Sequence, residues 1–401
     1  LLLLILMPSC APKSGEAPKS IPLYSIDQFY KNKQVFGGAF SPDEMRLLVT
    51  SNESGIYNLY EISIVDGSQR QVTSSTVESF YAIDYVRGTT HVLYSADKGG
   101  NENDHIYLLA ADGSTTDLTP GENEKANFAG WSKDRKTMYI LSNRRDPRMF
   151  DLYRMTVGTW KPVMLYKNEQ GFQVSGISWN EKMVALTQSI TTSVNRLFLC
   201  SLPGGKMTVI SDPNMPGSYS ASDFSLDNLS FYYITDAGKE FQYLVKYDIA
   251  GGQRTTVYHT NWDVMYSYVS DGGAYRIIAV NADGKNVLKV TDNRTGGDIA
   301  IPAIPDGDIT SVSISPSEKL MQLTVGTSKA PANLCMYAFA TKELKKLTNT
   351  LNTEIDPVNL VSAEVVLFRS FDNLEIPAIF YKPLTASAEN RAPALVWVHG
   401  G

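Results

Sequence analysis

Cysteine and histidine are scarce in this chain of 401 residues, with three and four copies respectively. Cys10, Cys200 and Cys335 cannot build a dense disulfide framework, and no two of them stand at a metal-ligand spacing. His91, His105, His259 and His399 are far apart in sequence, which leaves no basis for a zinc motif of the HExxH kind. No P-loop and no GxGxxG fingerprint occurs, so no cofactor is expected. Excess positive charge is missing too: a net charge of −6 gives no electrostatic case for nucleic acid as a partner. Long hydrophobic runs are confined to the first residues, LLLLILMPSC, which suit the apolar region of a secretory signal better than a membrane span. Helical periodicity is almost absent between residues 36 and 350.

What fills that stretch is a set of short runs rich in Val, Ile, Tyr and Thr, broken by Asp-Gly, Gly-Gly and Ser-Pro-Asp turns. A hydrophobic landmark followed by a turn returns as FSPDE at Phe40, YVRG at Tyr85, WSKDR at Trp131 and WNEK at Trp179. It returns again as FSLDN at Phe224, VSDGG at Val269 and ISPSE at Ile314, with gaps of 45, 46, 48, 45, 45 and 45 residues. Each unit carries an apolar strand after the turn (RLLVTS at Arg46, TMYILS at Thr137), a second near LYEI or LYRM, a Gly turn and a closing strand. Counting the strand before the landmark, that is four strands per unit, the content of a propeller blade. The expected fold class is all-β, a seven-bladed β-propeller over residues 36–350. One blade cannot bury both faces of its sheet, whereas seven around an axis can. The landmarks are therefore expected in the core between blades, and the Asp and Glu of SPDE-like turns are expected to serve the turn. Cys200 and Cys335 fall in different units and are expected to be free thiols.

The blade text resembles a known family. SADKGGNENDHIYLLAADGSTTDLTPG, residues 95–121, and AGWSKDRKTMYILSNRRDPRMFDLYRM are similar to the propellers of the prolyl oligopeptidase family of serine peptidases, above all its acylaminoacyl-peptidase and dipeptidyl-peptidase-like branches. TolB-like periplasmic propellers share the single-blade motif, but the segment after the last blade is more specific. Residues 360–384, LVSAEVVLFRSFDNLEIPAIFYKPL, alternate apolar and polar positions around Asp372-Asn373, and PALVWVHGG then reads as a buried strand ending in a Gly turn. That order resembles the start of an α/β-hydrolase domain. Asn373 stands where the family has Gly, a departure that Asn tolerates because it accepts the left-handed region.

The resemblance implies that His399, Gly400 and Gly401 form the oxyanion loop, whose backbone N–H groups would each take about 3 kcal/mol off an acyl-transfer barrier. It also implies that the nucleophile, Asp and His of the triad lie downstream, since no Gly-x-Ser-x-Gly elbow occurs here and all three follow this loop in hydrolase order. The chain is then the gating part of a longer peptidase, inactive by itself, with peptides as the parent's substrates. Residues 351–401 are the start of the hydrolase domain in this reading. In the family the propeller also offers charged side chains to the substrate's terminus. Candidates are the loop 101–105, from Asn101 to His105, and the group Arg144, Arg145, Asp146 and Arg148; either also reads as a solvated blade edge. Small residues before Cys10 resemble a lipoprotein signal, with residues 1–10 as signal, Cys10 as the lipidated residue and 11–35 as a polar tether. A plain cleaved signal reads as well; both place the protein on the exported, periplasmic side of a bacterial membrane. The rival reading from another class is a non-catalytic TolB-like envelope propeller that binds a protein or glycan.

Overall fold

The computed structural model describes residues 21–398. Cys10 and the expected oxyanion residues His399, Gly400 and Gly401 therefore lie outside the described residues. Twenty-eight strands form seven four-stranded antiparallel sheets, each a simple meander in chain order. Blades 1 to 7 span residues 35–71, 81–117, 126–166, 173–209, 219–258, 263–299 and 308–346. Seven hydrophobic clusters fill the spaces between sheets, one at each contact between neighbouring blades.

The second strand of each blade shows why its sequence is a continuous apolar run instead of an alternating one. Successive side chains of a strand point to opposite faces, and here both faces meet a neighbour. Leu47 and Val49 pack toward blade 7 while Leu48, between them, packs toward blade 2; all three are fully buried. Met138 and Ile140 face blade 2, and Tyr139 faces blade 4. The outermost strands are short and mostly exposed, as in Gln69–Gln71 and Thr115–Asp117. Cys200 and Cys335 are buried in separate clusters as free thiols.

The landmarks sit at the end of each blade's first strand, and Phe40 and Phe224 are buried as expected. In blade 4 the equivalent position is Ile177, two residues before Trp179, which belongs to the turn instead. The indole stands out in the sequence, but the strand's own β-branched residue holds the register.

The turn after the first strand is built alike in six of the seven blades; blade 2 has Val86 in place of the serine. A serine (41, 132, 178, 225, 270 or 315) accepts a hydrogen bond from the backbone N–H five residues on, at 2.9–3.2 Å. Asp43, Asp134 and Asp227 accept from their serine's hydroxyl and from a local N–H, so these carboxylates serve the turn. A residue two positions before the second strand, or four in blade 2, is left-handed in every blade: Glu44, Gly88, Arg135, Glu181, Asn228, Gly273 and Glu318. Where it has a side chain, that side chain bonds the preceding blade. Glu44 accepts from Ser317 of blade 7, Arg135 pairs with Asp84, Glu181 accepts from Tyr139 and Arg154, Asn228 accepts from the Asn180 N–H, and Glu318 accepts from the Ala274 N–H. Where it is glycine, a buried pair bridges the contact instead: Tyr85 to Glu61 between blades 2 and 1, and Arg276 to Asp223 between blades 6 and 5.

No strand of blade 1 joins the sheet of blade 7. The ring closes by side-chain packing, with Val35, Phe40, Leu47 and Tyr60 against Leu334, Met336 and Leu347. Before blade 1, a short helix, Ile26–Tyr30, with a Ser25/Gln28 capping box, lies beside the segment that leaves blade 7. The Tyr24 hydroxyl accepts from the Asp356 N–H at 2.9 Å, Asn352 bonds Gln28 and Asn32, and Lys31 pairs with Glu354. After that segment comes a hairpin, Ala363–Arg369 with Glu375–Tyr381, turning at Asn373 with φ 68°. The left-handed Asn373 is the conformation expected of it.

Candidate functional site

The two ends of the ring are unlike. Tyr381, Val365 and Ile379 of the hairpin border one cavity with Gly284, Asp308 and Ser328, which belong to the turns between second and third strands and to the approach to a first strand. The hairpin thus marks one face of the propeller. Both charged candidates from the sequence, 101–105 and 144–148, lie where the second strand passes into the third in blades 2 and 3. They lie on that same face.

The loop of blade 2 is held from within. Asn101 Oδ1 accepts from the Asn103 N–H at 3.0 Å, and the Glu102 N–H donates to Asp97 at 2.9 Å. Glu102 is left-handed, with φ 59°, and Lys125 ties its carbonyl at 2.7 Å while pairing with Asp104 at 3.5 Å. The Gly99 N–H donates to Glu78 at 2.9 Å. These bonds present Asp97, Glu102 and Asp104 to a cavity of about 580 Å³, floored by Tyr81 and Phe128. Three carboxylates face one ammonium there, so the cavity favours a cation. His105 belongs to the strand instead, where its Nδ1 meets Asp117 at 2.7 Å and its ring stacks near Tyr107. Sequence reasoning missed Asp97 and Lys125; the only signal was the Gly99-Gly100 pair, which interrupts the blade pattern.

The arginine group of blade 3 divides in two. Arg145 makes two bonds to the fully buried Asp151, at 2.6 and 2.8 Å, and a third to the Asn168 carbonyl at 2.9 Å. Those bonds to Asp151 raise its pKa above the ordinary arginine value. Such a clamp holds blade structure. Arg144 pairs with Glu124 at 3.6 Å and lies over the Tyr153 ring. Arg148 reaches solvent, with its side chain 82% exposed, and its hydrogen bond holds the Asp146 carboxyl below the usual range. Glu102, which borders the blade 2 cavity, and Arg148 are both exposed.

The run Ala394–Val398, expected as a buried strand, has no sheet partner among the described residues. Leu395, Val396, Trp397 and Val398 are 82–88% exposed. A strand exists only through its neighbours, and no described strand lies beside it. Among the described residues no cluster of His, Cys, Asp and Glu could hold a metal ion, and no helix is long and apolar enough to cross a membrane.

Comparison with known proteins places this architecture. Residues 39–350 match the family described as prolyl oligopeptidase, N-terminal beta-propeller domain. Dipeptidyl aminopeptidase BIII of Pseudoxanthomonas mexicana is 24% identical over 405 residues, covering 98% of this chain and 58% of that protein. The chain thus spans less than two thirds of this relative's length. Among solved structures, a puromycin-hydrolyzing peptidase of Mycobacterium tuberculosis superposes with a TM-score of 0.68 at 13% identity, over 94% of this chain and 62% of that one. Prolyl oligopeptidase B of Galerina marginata gives 0.66 at 13% identity, over 90% and 57%. At those identities the structural likeness speaks for the fold. The family match covers all seven blades, and with it the chain belongs to the prolyl oligopeptidase family, of whose members it provides the N-terminal propeller.

Proposed function

We propose that this chain is the cap of an exported serine peptidase, covering a hydrolase domain that continues from the 363–381 hairpin and admitting short peptides to it. The observation that carries the reading is the shared face: the hairpin leading toward position 401 and the cation-favouring cavity of blade 2 lie on the same side of the ring. A likeness to a dipeptidyl aminopeptidase agrees with it. In this reading a peptide's free α-ammonium rests against Asp97, Glu102 and Asp104, and Arg148 guides the approach of acidic chains. The His399-Gly400-Gly401 turn supplies backbone N–H groups to the oxyanion, and the nucleophile, acid and base come from residues beyond this chain.

The test uses the longer protein that contains this chain. Dipeptide anilides with a free amine should be hydrolysed, and Glu102→Gln should raise KM about tenfold, about 1.4 kcal/mol, with kcat little changed. N-acylated analogues should not respond to that substitution. Equal KM for free and acylated substrates in both proteins rejects the ammonium site; absence of hydrolysis rejects the peptidase in favour of a binding propeller. Export and anchoring through Cys10 belong to the same proposal: Cys10→Ala should release the protein from the membrane fraction, because acyl chains on that residue are the anchor. Equal membrane association of both proteins contradicts the anchor.

A further inference from the structure

The face opposite the hairpin is formed by the turns between first and second strands, and there the repeat changes at one position. The frame of the turn is constant, but the residue after its serine, or after Val86 in blade 2, is Pro42, Arg87, Lys133, Trp179, Leu226, Asp271 and Pro316 in blades 1 to 7. A residue needed only by the turn would not run from a cation to an indole to an anion. Three of these residues, Lys133, Trp179 and Asp271, line one cavity of about 310 Å³ together with Trp131.

The indoles of Trp131 and Trp179 are half-buried, and their edges are tied down. The Trp131 N–H donates to Asp84 at 2.9 Å, and the Trp179 N–H donates to the Phe224 carbonyl at 3.3 Å. Trp131 meets Phe128 edge-on, at 5.7 Å between centroids, and the two indoles do not stack on each other. The wall beside them is low. The first strand of blade 3 bulges at the exposed Ala129, and no atom lies within 4 Å of where a Cβ on Gly130 or Gly176 would stand. Lys133 and Asp271 are exposed, and neither side chain has an ion-pair or hydrogen-bond partner among the described residues. Arg135, the other cation of the wall, is paired with Asp84 at 3.2 Å. The cavity thus offers one uncommitted ammonium, one uncommitted carboxylate and two fixed apolar rings.

We propose that this cavity binds a small aromatic zwitterion, a free aromatic amino acid, with its carboxylate on Lys133, its ammonium on Asp271 and its ring against Trp131 and Trp179. The volume is at the lower end of small-ligand pockets, which suits one amino acid and not a longer chain. Aromatic pairs gain energy beyond the area they bury, whereas exposed ion pairs add little each. The rings therefore carry the affinity, and the two charges select a ligand that has both. The site stands without the peptidase reading; joined to that reading, its ligand is the class of molecule that peptide hydrolysis leads to, and the site is one for product.

The test is calorimetric titration of the longer protein. L-phenylalanine should bind saturably with a Kd of about 1 mM or tighter. Lys133→Ala and Asp271→Ala should each weaken that binding about three- to fivefold. Both side chains are exposed and neither residue holds the left-handed place of its turn, so both variants should fold. Phenylalanine amide lacks the carboxylate and should bind the parent and Lys133→Ala alike; N-acetylphenylalanine lacks the ammonium and should bind the parent and Asp271→Ala alike. Glycine has both charges and no ring, and should not bind measurably. No saturable binding of phenylalanine, equal affinity in the parent and both variants, or glycine bound as tightly as phenylalanine overturns the site. A protein inert toward peptides that still binds phenylalanine through Lys133 and Asp271 keeps the site and sinks the peptidase reading by itself.

Discussion

Glu318 shows what one residue of the repeat does. Its backbone is left-handed, with φ 59°, and its carboxylate accepts from the Ala274 N–H at 3.0 Å and from the Ser270 hydroxyl across the contact with blade 6. Two effects of opposite sign meet there. A side chain in that region is strained by about 1–2 kcal/mol, and a hydrogen bond to a charged acceptor contributes about 1.5–3 kcal/mol. Glu318→Ala keeps the strain and loses the bonds, so it should destabilise by about 2–3 kcal/mol. Glu318→Gly relieves the strain and should cost about 1 kcal/mol less than Ala. Urea unfolding that ranks Gly below Ala would contradict the strain, and an Ala variant as stable as the parent would contradict the bonds. The turn carboxyls have a second consequence. Bonds from Ser41, Ser114, Ser132 and Ser225 hold Asp43, Asp112, Asp134 and Asp227 below their ordinary value. Ser63 and Arg294 bring Asp66 and Asp292 to about 2. A carboxyl whose folded pKa is depressed stabilises above its unfolded value, and that contribution is lost as pH falls through the folded one. Burial raises Asp84 and Asp223, which opposes the trend, but the lowered group is larger. The melting temperature should be level down to about pH 5 and fall between about pH 4 and pH 2; a level profile to pH 2 contradicts the role of these turns. Their service to the backbone was readable from SPDE-like text, because Ser and Asp bond locally. Their reach to the preceding blade was not, since nothing local in FSPDE points to Ser317.

At the scale of the strand, neighbouring residues serve different contacts. Leu47 faces blade 7 and Leu48 faces blade 2, and both are fully buried. In a half-buried sheet one of two adjacent positions would tolerate truncation. Here Leu47→Ala and Leu48→Ala should each cost about 3–5 kcal/mol in chemical unfolding. A cost below about 1 kcal/mol for either one would mean that its face is not packed. The apolar runs RLLVTS and TMYILS announced this burial on both sides, which is why seven blades were legible from a period. Blade 4 was the exception in register: Trp179 attracted the alignment although Ile177 ends the strand. Large aromatics are good evidence of a core and poor evidence of register, because a long side chain reaches the same cluster from a turn.

At the scale of the molecule, no sheet pairing crosses from blade 7 to blade 1, and packing closes the ring. Blade 1 meets blade 7 through one apolar cluster, the Glu44–Ser317 bonds and the pairing of the two flanking segments at Tyr24, Asn352 and Asp356. The fold and the family were legible because a propeller repeats seven times and each repeat corrects the others. The site was only half legible. Asn101 to His105 and Arg144 to Arg148 stood out as breaks in the repeat, yet His105 and Arg145 proved to hold structure, and Asp97 and Lys125 line the blade 2 cavity from inside ordinary blade text. Surfaces at the axis are assembled from residues many blades apart, and no local pattern marks them. The central proposal is that this propeller covers a serine nucleophile lying outside its own 401 residues. A fluorophosphonate probe applied to the longer protein, with mass-spectrometric location of the adduct, tests it most directly. One labelled serine beyond Gly401, with none among residues 1–401, is the expected result; an adduct within residues 1–401, or no adduct at all, contradicts it.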